Sequence, residues 1–308
     1  MKKLFLFSMM ILLCASIAGV CTAQEYPVEP EFAIEPQFDY ALPFWEGLAA
    51  VKVGDKYGFI NTHGEFVITP QFDDTKGFGY GDGLAPVKAD DSWGYINKNG
   101  TYIIDPMFDN ADYFRDGIAK VKMNGKWGYI NSSGELVIEP QFDTAYSFSE
   151  GLASVRIGDK KGYIDTTGSF VFEHDFDSAL WFTNGLANIT QDGKDGFIDT
   201  TGKIIIEPQF DGAESFWGDS GMASIIFDEK HGFIDKTGNV VISPQFDNAF
   251  SFYEELAAVK VDDIWGIINE NGDFIIKPQF EDARIFTEGL CNVKVGDKWG
   301  YIKNPLQQ

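Results

Sequence analysis

The chain has 308 residues, of which 44% are hydrophobic and 15% aromatic, so it can bury a sizeable core and is not a disordered segment. It carries 24 Lys and Arg against 47 Asp and Glu, a formal net charge of −23. This acidity argues against nucleic acid and anionic membrane surfaces as partners, and it is compatible with solubility outside the cell.

The first 23 residues predict a secretory signal peptide. Lys2 and Lys3 precede an apolar run at 4–20, and the small residues at 21–23 predict cleavage before Gln24. The run is too short for a stable membrane span, so no integral span is expected after cleavage. We therefore expect an exported protein that is periplasmic, secreted or on the cell surface. The alternative is a lipoprotein acylated at Cys21, although Val20 is bulky for such a site.

Cleavage would remove two lysines and two of the three cysteines. The mature formal charge becomes 22 − 47 = −25, and Cys291 is the cysteine that remains. An internal disulfide is then impossible despite the export signal. Seven other units carry Ala at the position of Cys291, so we expect a small buried residue rather than a nucleophile.

The tetrad Pro-Gln-Phe-Asp recurs along the rest of the chain and reveals a repeat. Successive copies are 34, 36, 34, 34, 34, 36 and 34 residues apart. This spacing predicts a 24–35 lead containing a closing strand, eight units over 36–302 and a 303–308 tail. The copies begin at Pro36, Pro70, Pro106, Pro140, His174 (as HDFD), Pro208, Pro244 and Pro278.

Each unit predicts one helical turn followed by three short strands. The opening P-Q-F-D-x-A-x-x-F places an acid at an N-cap position, with Ala and an invariant Phe three residues apart on one face. The segments G-L-A-x-V-K-V and W-G-Y-I-N and a third apolar run follow, separated by Gly-rich turns.

The later strands are apolar on both faces, as at Val67 and Ile68, so both faces must be covered. Neighbouring units are the available cover. We therefore predict an all-β fold of eight three-stranded units stacked face to face, either a β-propeller-like ring or an open β-solenoid. The eighth unit has its first and second strands but no third strand after Ile302, and the segment 32–36 has the sequence of a third strand without a first or second before it. Because these two pieces complement each other, we favour the ring.

The segments K-W-G-Y-I at 126–130 and 298–302, with G-L-A upstream and P-Q-F-D downstream, carry a family resemblance. They resemble the WG (or KWG) repeat of bacterial proteins, and the resemblance covers 36–302. It implies a bacterial β-repeat protein, often exported, with no established general activity and no catalytic residues.

The aromatic column of the W-G motif is the candidate ligand-binding row. Three middle units replace the aromatic with Lys161, Asp195 and His231. A dry core would accept Asp195 only at a desolvation cost of several kcal/mol, so the column is expected to be partly open to water. Exposed aromatic rows bind sugars, peptides or aromatic groups, whereas the alternative is that each ring covers its own turn. The row consists of Tyr57, Trp93, Trp127, Trp265 and Trp299.

Two charged columns have simpler interpretations. The tetrad acids are expected to cap the helical turns, because one acid per 34 residues lacks the dense oxygen ligands of a calcium loop. A basic column after G-L-A is expected to form a solvated face. The acids are Asp39, Asp73, Asp109, Asp143, Asp177, Asp211, Asp247 and Glu281.

No catalytic motif stands out. His63, His174 and His231 fall at different points of their units, and metal, nucleotide and serine-hydrolase signatures are absent. The leading hypothesis is therefore a non-catalytic exported scaffold, without cofactor or metal, that binds a protein or glycan at the cell envelope. The second is a β-repeat hydrolase acting on an extracellular polysaccharide or peptide, which needs one unit with clustered acids and a polar cleft.

Overall fold

The structure, a computed structural model, describes residues 10–11, 24–218 and 220–307, and every regular element within these ranges is a β-strand. None of these residues belongs to a helix long and apolar enough to cross a membrane. Two short strands, β1 (Met10–Ile11) and β2 (Gln24–Glu25), pair with each other. The predicted signal peptide otherwise lies outside the described residues.

The remaining strands form eight four-stranded antiparallel sheets, here called blades. One strand, β3 (Phe32–Phe38), precedes the first blade in the chain and completes the eighth. Blade 1 consists of β4 (Tyr40–Ala41), β5 (Leu48–Val53), β6 (Lys56–Asn61) and β7 (Phe66–Phe72), and blade 2 of β8 (Asp74–Thr75), β9 (Leu84–Ala89), β10 (Ser92–Asn97) and β11 (Tyr102–Phe108). Blade 3 consists of β12 (Asn110–Arg115), β13 (Ile118–Met123), β14 (Lys126–Asn131) and β15 (Leu136–Phe142), and blade 4 of β16 (Thr144–Ala145), β17 (Ala153–Ile157), β18 (Lys160–Ile164) and β19 (Phe170–Glu173). Blade 5 consists of β20 (Ser178–Thr183), β21 (Leu186–Gln191), β22 (Lys194–Asp199) and β23 (Ile204–Phe210), and blade 6 of β24 (Gly212–Ala213), β25 (Met222–Phe227), β26 (Lys230–Asp235) and β27 (Val240–Phe246). Blade 7 consists of β28 (Asn248–Ala249), β29 (Leu256–Val261), β30 (Ile264–Asn269) and β31 (Phe274–Phe280). Blade 8 consists of β32 (Asp282–Thr287), β33 (Leu290–Val295) and β34 (Lys298–Lys303), together with β3.

The blades pack face to face in a closed ring, so the fold is an eight-bladed β-propeller. The buried apolar side chains form clusters that each join two consecutive blades. One such cluster unites the first and last blades and contains Phe44 and Tyr301. Since a cluster also forms between the two ends of the series, no blade face is left without a neighbour.

The ring closes through the N-terminal strand. β3 pairs antiparallel with β34, with Phe32 opposite Ile302 and Phe38 opposite Trp299. The predicted closure is confirmed, and the open β-solenoid is wrong. Closure removes the exposed sheet ends that an open array would have to cover.

Each unit has four strands, so the predicted three strands and a helical turn are wrong at the unit's opening. There, Asp143 N–H donates to the carbonyl of Arg156 (2.8 Å) and Tyr146 N–H to that of Ser154 (2.9 Å), which is strand pairing. A bulge between the Ala and Phe positions lets both side chains reach the core. Their spacing of three residues therefore resembles a helical face.

The outer strands are not covered on both faces at their beginnings. Ile68 is buried, but Phe66 and Val67 are 43% and 46% exposed. These residues lie at the periphery of the ring, where the blades diverge, so the expected double burial is wrong there.

The glycine of the W-G motif is needed where the outer strand approaches it closely. A Cβ on Gly128 would lie 2.7 Å from the carbonyl oxygen of Ile138 and 2.7 Å from the nitrogen of Pro140. Trp127 pairs with Phe142 and Tyr129 with Ile138, so the outer strand bulges outward opposite this glycine. Proline fits the bulge because it has no N–H to leave unpaired.

The tetrad acids fasten turns and neighbouring blades rather than capping helices. Asp39 accepts a hydrogen bond from Gly54 N–H (2.7 Å) and pairs with Lys298 of the eighth blade at 2.5 Å. The same lysine-to-acid pair joins Lys126 to Asp143 at 2.5 Å. With no helix at this point, the predicted capping role is wrong.

Cys291 is fully buried, as predicted, and burial raises the pKa of its thiol to about 12. A thiol that stays protonated at neutral pH is a poor nucleophile. This cysteine therefore serves as a small core residue.

Candidate functional site: the mouth of the central channel

The predicted aromatic row is less exposed than the sequence indicates. Trp93, Trp265 and Trp299 are buried, and Tyr57 and Trp127 are half-buried. The expectation of a wet column is therefore wrong for the three buried tryptophans.

Asp195, which suggested exposure of this column, is satisfied by local hydrogen bonds. Its carboxylate accepts from the backbone N–H of Ala213 (2.8 Å) and from the hydroxyl of Thr190 (2.8 Å). Because these donors replace water, an acid is tolerated without an open site.

The row is also not brought together in space. Its members lie one per blade, and among the described residues no ring contact joins two of them. Trp299 instead packs edge-on against Tyr40 (5.6 Å between centroids), and Trp265 stacks on Phe250 (5.2 Å). A ligand-binding role for the row stays a prediction, and the exposed surface it needs is present at Tyr57 and Trp127.

A second set of residues, four aromatic and one arginine, does converge, at one end of the ring axis. Four of the five directly follow the invariant Phe of their units, and Tyr80 follows it by one further residue. Side chains from non-neighbouring blades meet there, which is possible only across the axis. We call this set the mouth cluster; it consists of Trp45, Tyr80, Arg115, Trp217 and Tyr253.

Arg115 is the centre of the mouth cluster. Its guanidinium lies 3.9 Å from the ring centroid of Tyr80 and 5.2 Å from that of Trp217, on blades 2 and 6. Such cation–π contacts contribute about 0.5–2 kcal/mol each, depending on desolvation. Within the part of the chain that the structure describes, no carboxylate pairs with Arg115.

The other rings extend this contact across the mouth. Trp45 stacks on Tyr80 with centroids 6.1 Å apart and meets Tyr253 edge-on at 6.3 Å. Tyr80 remains 42% exposed. The mouth cluster therefore offers an amphipathic surface that is held in place by ring-to-ring contacts.

Two cavities adjoin the mouth cluster and share Tyr80 and Arg115 as walls. One cavity, of about 310 Å³, also includes Asp116 and Glu150. The other, of about 120 Å³, reaches Trp181, whose buried indole N–H has no hydrogen-bond partner among the described residues. A buried indole donor and an arginine cation beside aromatic walls are groups that recognise a polar ligand.

Two acids with different environments face the channel at equivalent positions. Burial opposes the charge of Asp112, but Lys120 (3.2 Å) and Lys76 (3.3 Å) outweigh it and hold the pKa of Asp112 below its usual range. No lysine pairs with Glu214 among the described residues, and its carboxylate accepts a hydrogen bond from the Ser251 hydroxyl (3.2 Å). Part of Glu214 is exposed, yet protein atoms surround much of it, and burial raises its pKa.

The chain matches the family model described as "WG containing repeat" in eight consecutive segments, at 29–57, 57–92, 93–127, 127–160, 162–194, 196–230, 232–263 and 265–299. It belongs to the WG-repeat family. No curated protein sequence matches this WG-repeat chain.

Solved structures resemble this chain at low sequence identity. The crystal structure of a eukaryotic initiation factor has a TM-score of 0.57 at 14% identity, over 86% of this chain and 83% of that one. Hsv2 from Kluyveromyces marxianus scores 0.49 at 11% identity, over 75% and 96%. The extracellular domain of the putative one-component system BT4673 from B. thetaiotaomicron scores 0.45 at 9% identity, over 86% and 40%. Of the three, only the initiation-factor structure supports the propeller fold, and at 14% identity it supports nothing about function.

The mouth of this WG-repeat propeller is built where the repeat is irregular. The second and sixth units are 36 residues long, and their two extra residues fall in the loops carrying Tyr80 and Trp217. The uneven spacing was therefore the sequence signal for this site. A second signal was the column after the invariant Phe, which alone mixes Trp, Tyr and Arg with small polar residues.

Acidic side chains fix the loops around the mouth. Glu288 of blade 8 accepts from Gly47 N–H of blade 1 (2.9 Å), and Glu46 of blade 1 accepts from Gly81 N–H of blade 2 (3.0 Å). Glu150 and Glu254 reach the next blade in the same way. At these four junctions the loops are tied to their neighbours, which limits the entropy cost of presenting the mouth cluster.

Proposed function

We propose that this WG-repeat propeller is a non-catalytic exported scaffold that binds a protein or glycan partner at the cell envelope. The mouth cluster is the binding surface in this proposal. The observation that carries it is the convergence of Trp45, Tyr80, Arg115, Trp217 and Tyr253 on the ring axis.

The chemistry of the mouth cluster supports binding. Tryptophan, tyrosine and arginine are the residues that most often dominate binding energy at interfaces, and aromatic faces also stack on sugar rings. The loops that carry them are the irregular parts of an otherwise uniform scaffold. The export element of the proposal is supported by the signal-like sequence at 1–23 and by the net charge of −23.

A binding screen with matched variants tests the proposal. The mature protein is assayed against purified peptidoglycan, a set of polysaccharides and individually purified envelope proteins. Replacing both Arg115 and Trp217 by Ala should weaken binding roughly 100-fold or more, since one hot-spot residue contributes about 2 kcal/mol, or roughly 30-fold, and two such contributions are not fully additive. Phe227→Ala, an exposed aromatic outside both the mouth cluster and the aromatic row, is the control and should bind normally. Unchanged binding by the mouth variant would overturn the proposal.

The second candidate is a hydrolase acting on an extracellular polysaccharide or peptide. It is favoured by the two channel-facing acids, because one carboxyl has a raised pKa and the other a lowered pKa, as a general acid and a general base require. Turnover of the same polymers is assayed with Glu214→Gln and, as control, Glu139→Gln on the outer surface. Turnover abolished only by Glu214→Gln would replace the scaffold proposal with this one.

A further inference from the structure

The junction between blades 4 and 5 differs from the other seven. The outer strand β19 (Phe170–Glu173) has 4 residues, whereas the outer strands of the other blades have 7. The tetrad that follows reads His-Asp-Phe-Asp from His174 in place of Pro-Gln-Phe-Asp. The core cluster at this junction has six buried members, against eight to twelve at the others. The interface is therefore incompletely filled.

A cavity of about 440 Å³ occupies this junction. Lys161 lies in its wall, at the position where four other units have Trp. The Lys161 ammonium donates to the carbonyls of Phe176 (2.9 Å) and Asp177 (3.3 Å), which leaves a third N–H free. Among the described residues, no carboxylate pairs with this ammonium.

His174 adds an unsatisfied imidazole to the same wall. Both ring nitrogens are buried and have no hydrogen-bond partner among the described residues. Burial and the neighbouring Lys161 lower the pKa of His174, so the ring is neutral near pH 7 and can both donate and accept. Two buried ring nitrogens without partners are costly unless a ligand or solvent satisfies them.

The charges around the cavity are also rearranged. In most units the lysine that begins the third strand pairs with the next tetrad acid, but here Lys160 pairs with Glu173 at 2.8 Å. The Asp177 carboxylate consequently has no lysine partner among the described residues, and Asp177 and Arg156 both line the cavity. The pocket thus holds two cations and one acid in a protein of net charge −23.

We propose that this junction cavity binds a small hydroxyl-rich carboxylate, of the chemical class of an acidic monosaccharide. Arg156 and the free N–H of Lys161 would hold the carboxylate, and the Tyr146 ring would lie against the sugar face. The hydroxyls of the ligand would meet His174, Asp177 and the wall hydroxyls, which are those of Thr144, Ser154 and Ser178. This site is separate from the mouth cluster and does not depend on the function proposed for it.

Calorimetry on the full mature protein tests the site with D-glucuronate, D-glucose and inorganic phosphate at one ionic strength. Glucuronate should bind roughly tenfold or more tightly than either comparison ligand, because only it combines a carboxylate with ring hydroxyls. Equal binding of glucose or phosphate, or no binding of glucuronate, would overturn the proposal.

Two variants tie the binding to the cavity. Arg156→Gln should weaken glucuronate binding roughly tenfold. The triple variant Lys161→Trp, His174→Pro, Asp175→Gln restores the sequence of the regular units and should fill the cavity, abolishing binding while keeping or raising the melting temperature. Arg115→Ala at the mouth should bind glucuronate normally. Binding that survives the triple variant, or that is lost with Arg115→Ala, would contradict the assignment.

Discussion

Trp127 and Trp299 occupy the same position in their units but differ in burial. Trp299 is 3% exposed and packs within the cluster that closes the ring, whereas Trp127 is half-buried and lies beside Lys120 and Lys122. Local sequence does not distinguish the two rings, because the difference comes from the blade packed on each.

We expect Trp299→Ala to reduce the free energy of unfolding by about 3–5 kcal/mol, the cost of emptying a buried aromatic site. Trp127→Ala should cost about 1–2 kcal/mol, because part of its ring already contacts water. Urea unfolding followed by circular dichroism measures both values. Equal losses would contradict the difference in burial.

Asp235 provides a pH-dependent test at the turn after the third strand. The hydroxyl of Thr237 (2.6 Å) and nearby N–H groups lower its pKa from 3.8 to about 2. Since the folded pKa is below the unfolded one, Asp235 stabilises the fold above pH 3.8 and the effect disappears as pH falls through about 2. Four other units carry Asn at this position.

The variant Asp235→Asn should therefore be less stable than the parent protein at pH 5, and the gap should narrow on acidification to pH about 2. The effect is small because the group is exposed. Unfolding free energies across this range measure it. A gap independent of pH would show that the lowered pKa does not contribute to stability.

At the scale of elements, the last three strands of each unit could be predicted from the sequence. The segment from the tetrad acid to the invariant Phe could not. Apolar residues that alternate with polar ones between Gly-containing turns indicate strands and nothing else. By contrast, Ala145 and Phe148 are three residues apart, which fits either a helical face or a bulged strand. Pairing with β17 decides between them, and that contact is not visible in the segment's own sequence.

Gly300 tests the close approach between β34 and the closing strand. A Cβ there would lie 2.6 Å from the carbonyl oxygen of Ile34, a backbone atom that cannot move aside. We expect Gly300→Ala to destabilise the protein by about 2–4 kcal/mol. Gly79→Ala is the control, because its Cβ would meet the Tyr113 side chain at 3.3 Å, which can shift. Similar losses from both would contradict the account.

At the scale of the whole molecule, the ring could be predicted because the segment 32–36 has the sequence of the third strand that the eighth unit lacks. The mouth cluster could not be, since contacts such as Arg115 with Trp217 join residues about 100 positions apart through the geometry of the ring. Eight copies also allow comparison within one chain, which identified Cys291 as a core residue.

Deleting residues 24–39 should destabilise the whole propeller, because it removes β3 and the acid that pairs with Lys298. The expected result is a single melting transition shifted to lower temperature, or loss of folding, rather than the fraying of one blade. Calorimetric melting of the truncated and mature proteins compares them. An unchanged transition would mean that β3 does not support the ring.

The closed ring is tested most directly by a disulfide between Glu31→Cys and Lys303→Cys. These residues face each other where Lys303 N–H donates to the carbonyl of Glu31 (2.8 Å), and opposed antiparallel positions lie within disulfide reach. Cys291 is buried and does not compete. The control pairs Glu31→Cys with Lys203→Cys on blade 5.

Mild oxidation should convert the first pair quantitatively into an intramolecular disulfide, seen as a faster-migrating monomer on a non-reducing gel and as loss of two free thiols. The control should keep its thiols or form dimers between molecules. Free thiols or dimers alone from the Glu31→Cys, Lys303→Cys protein would contradict the closed propeller.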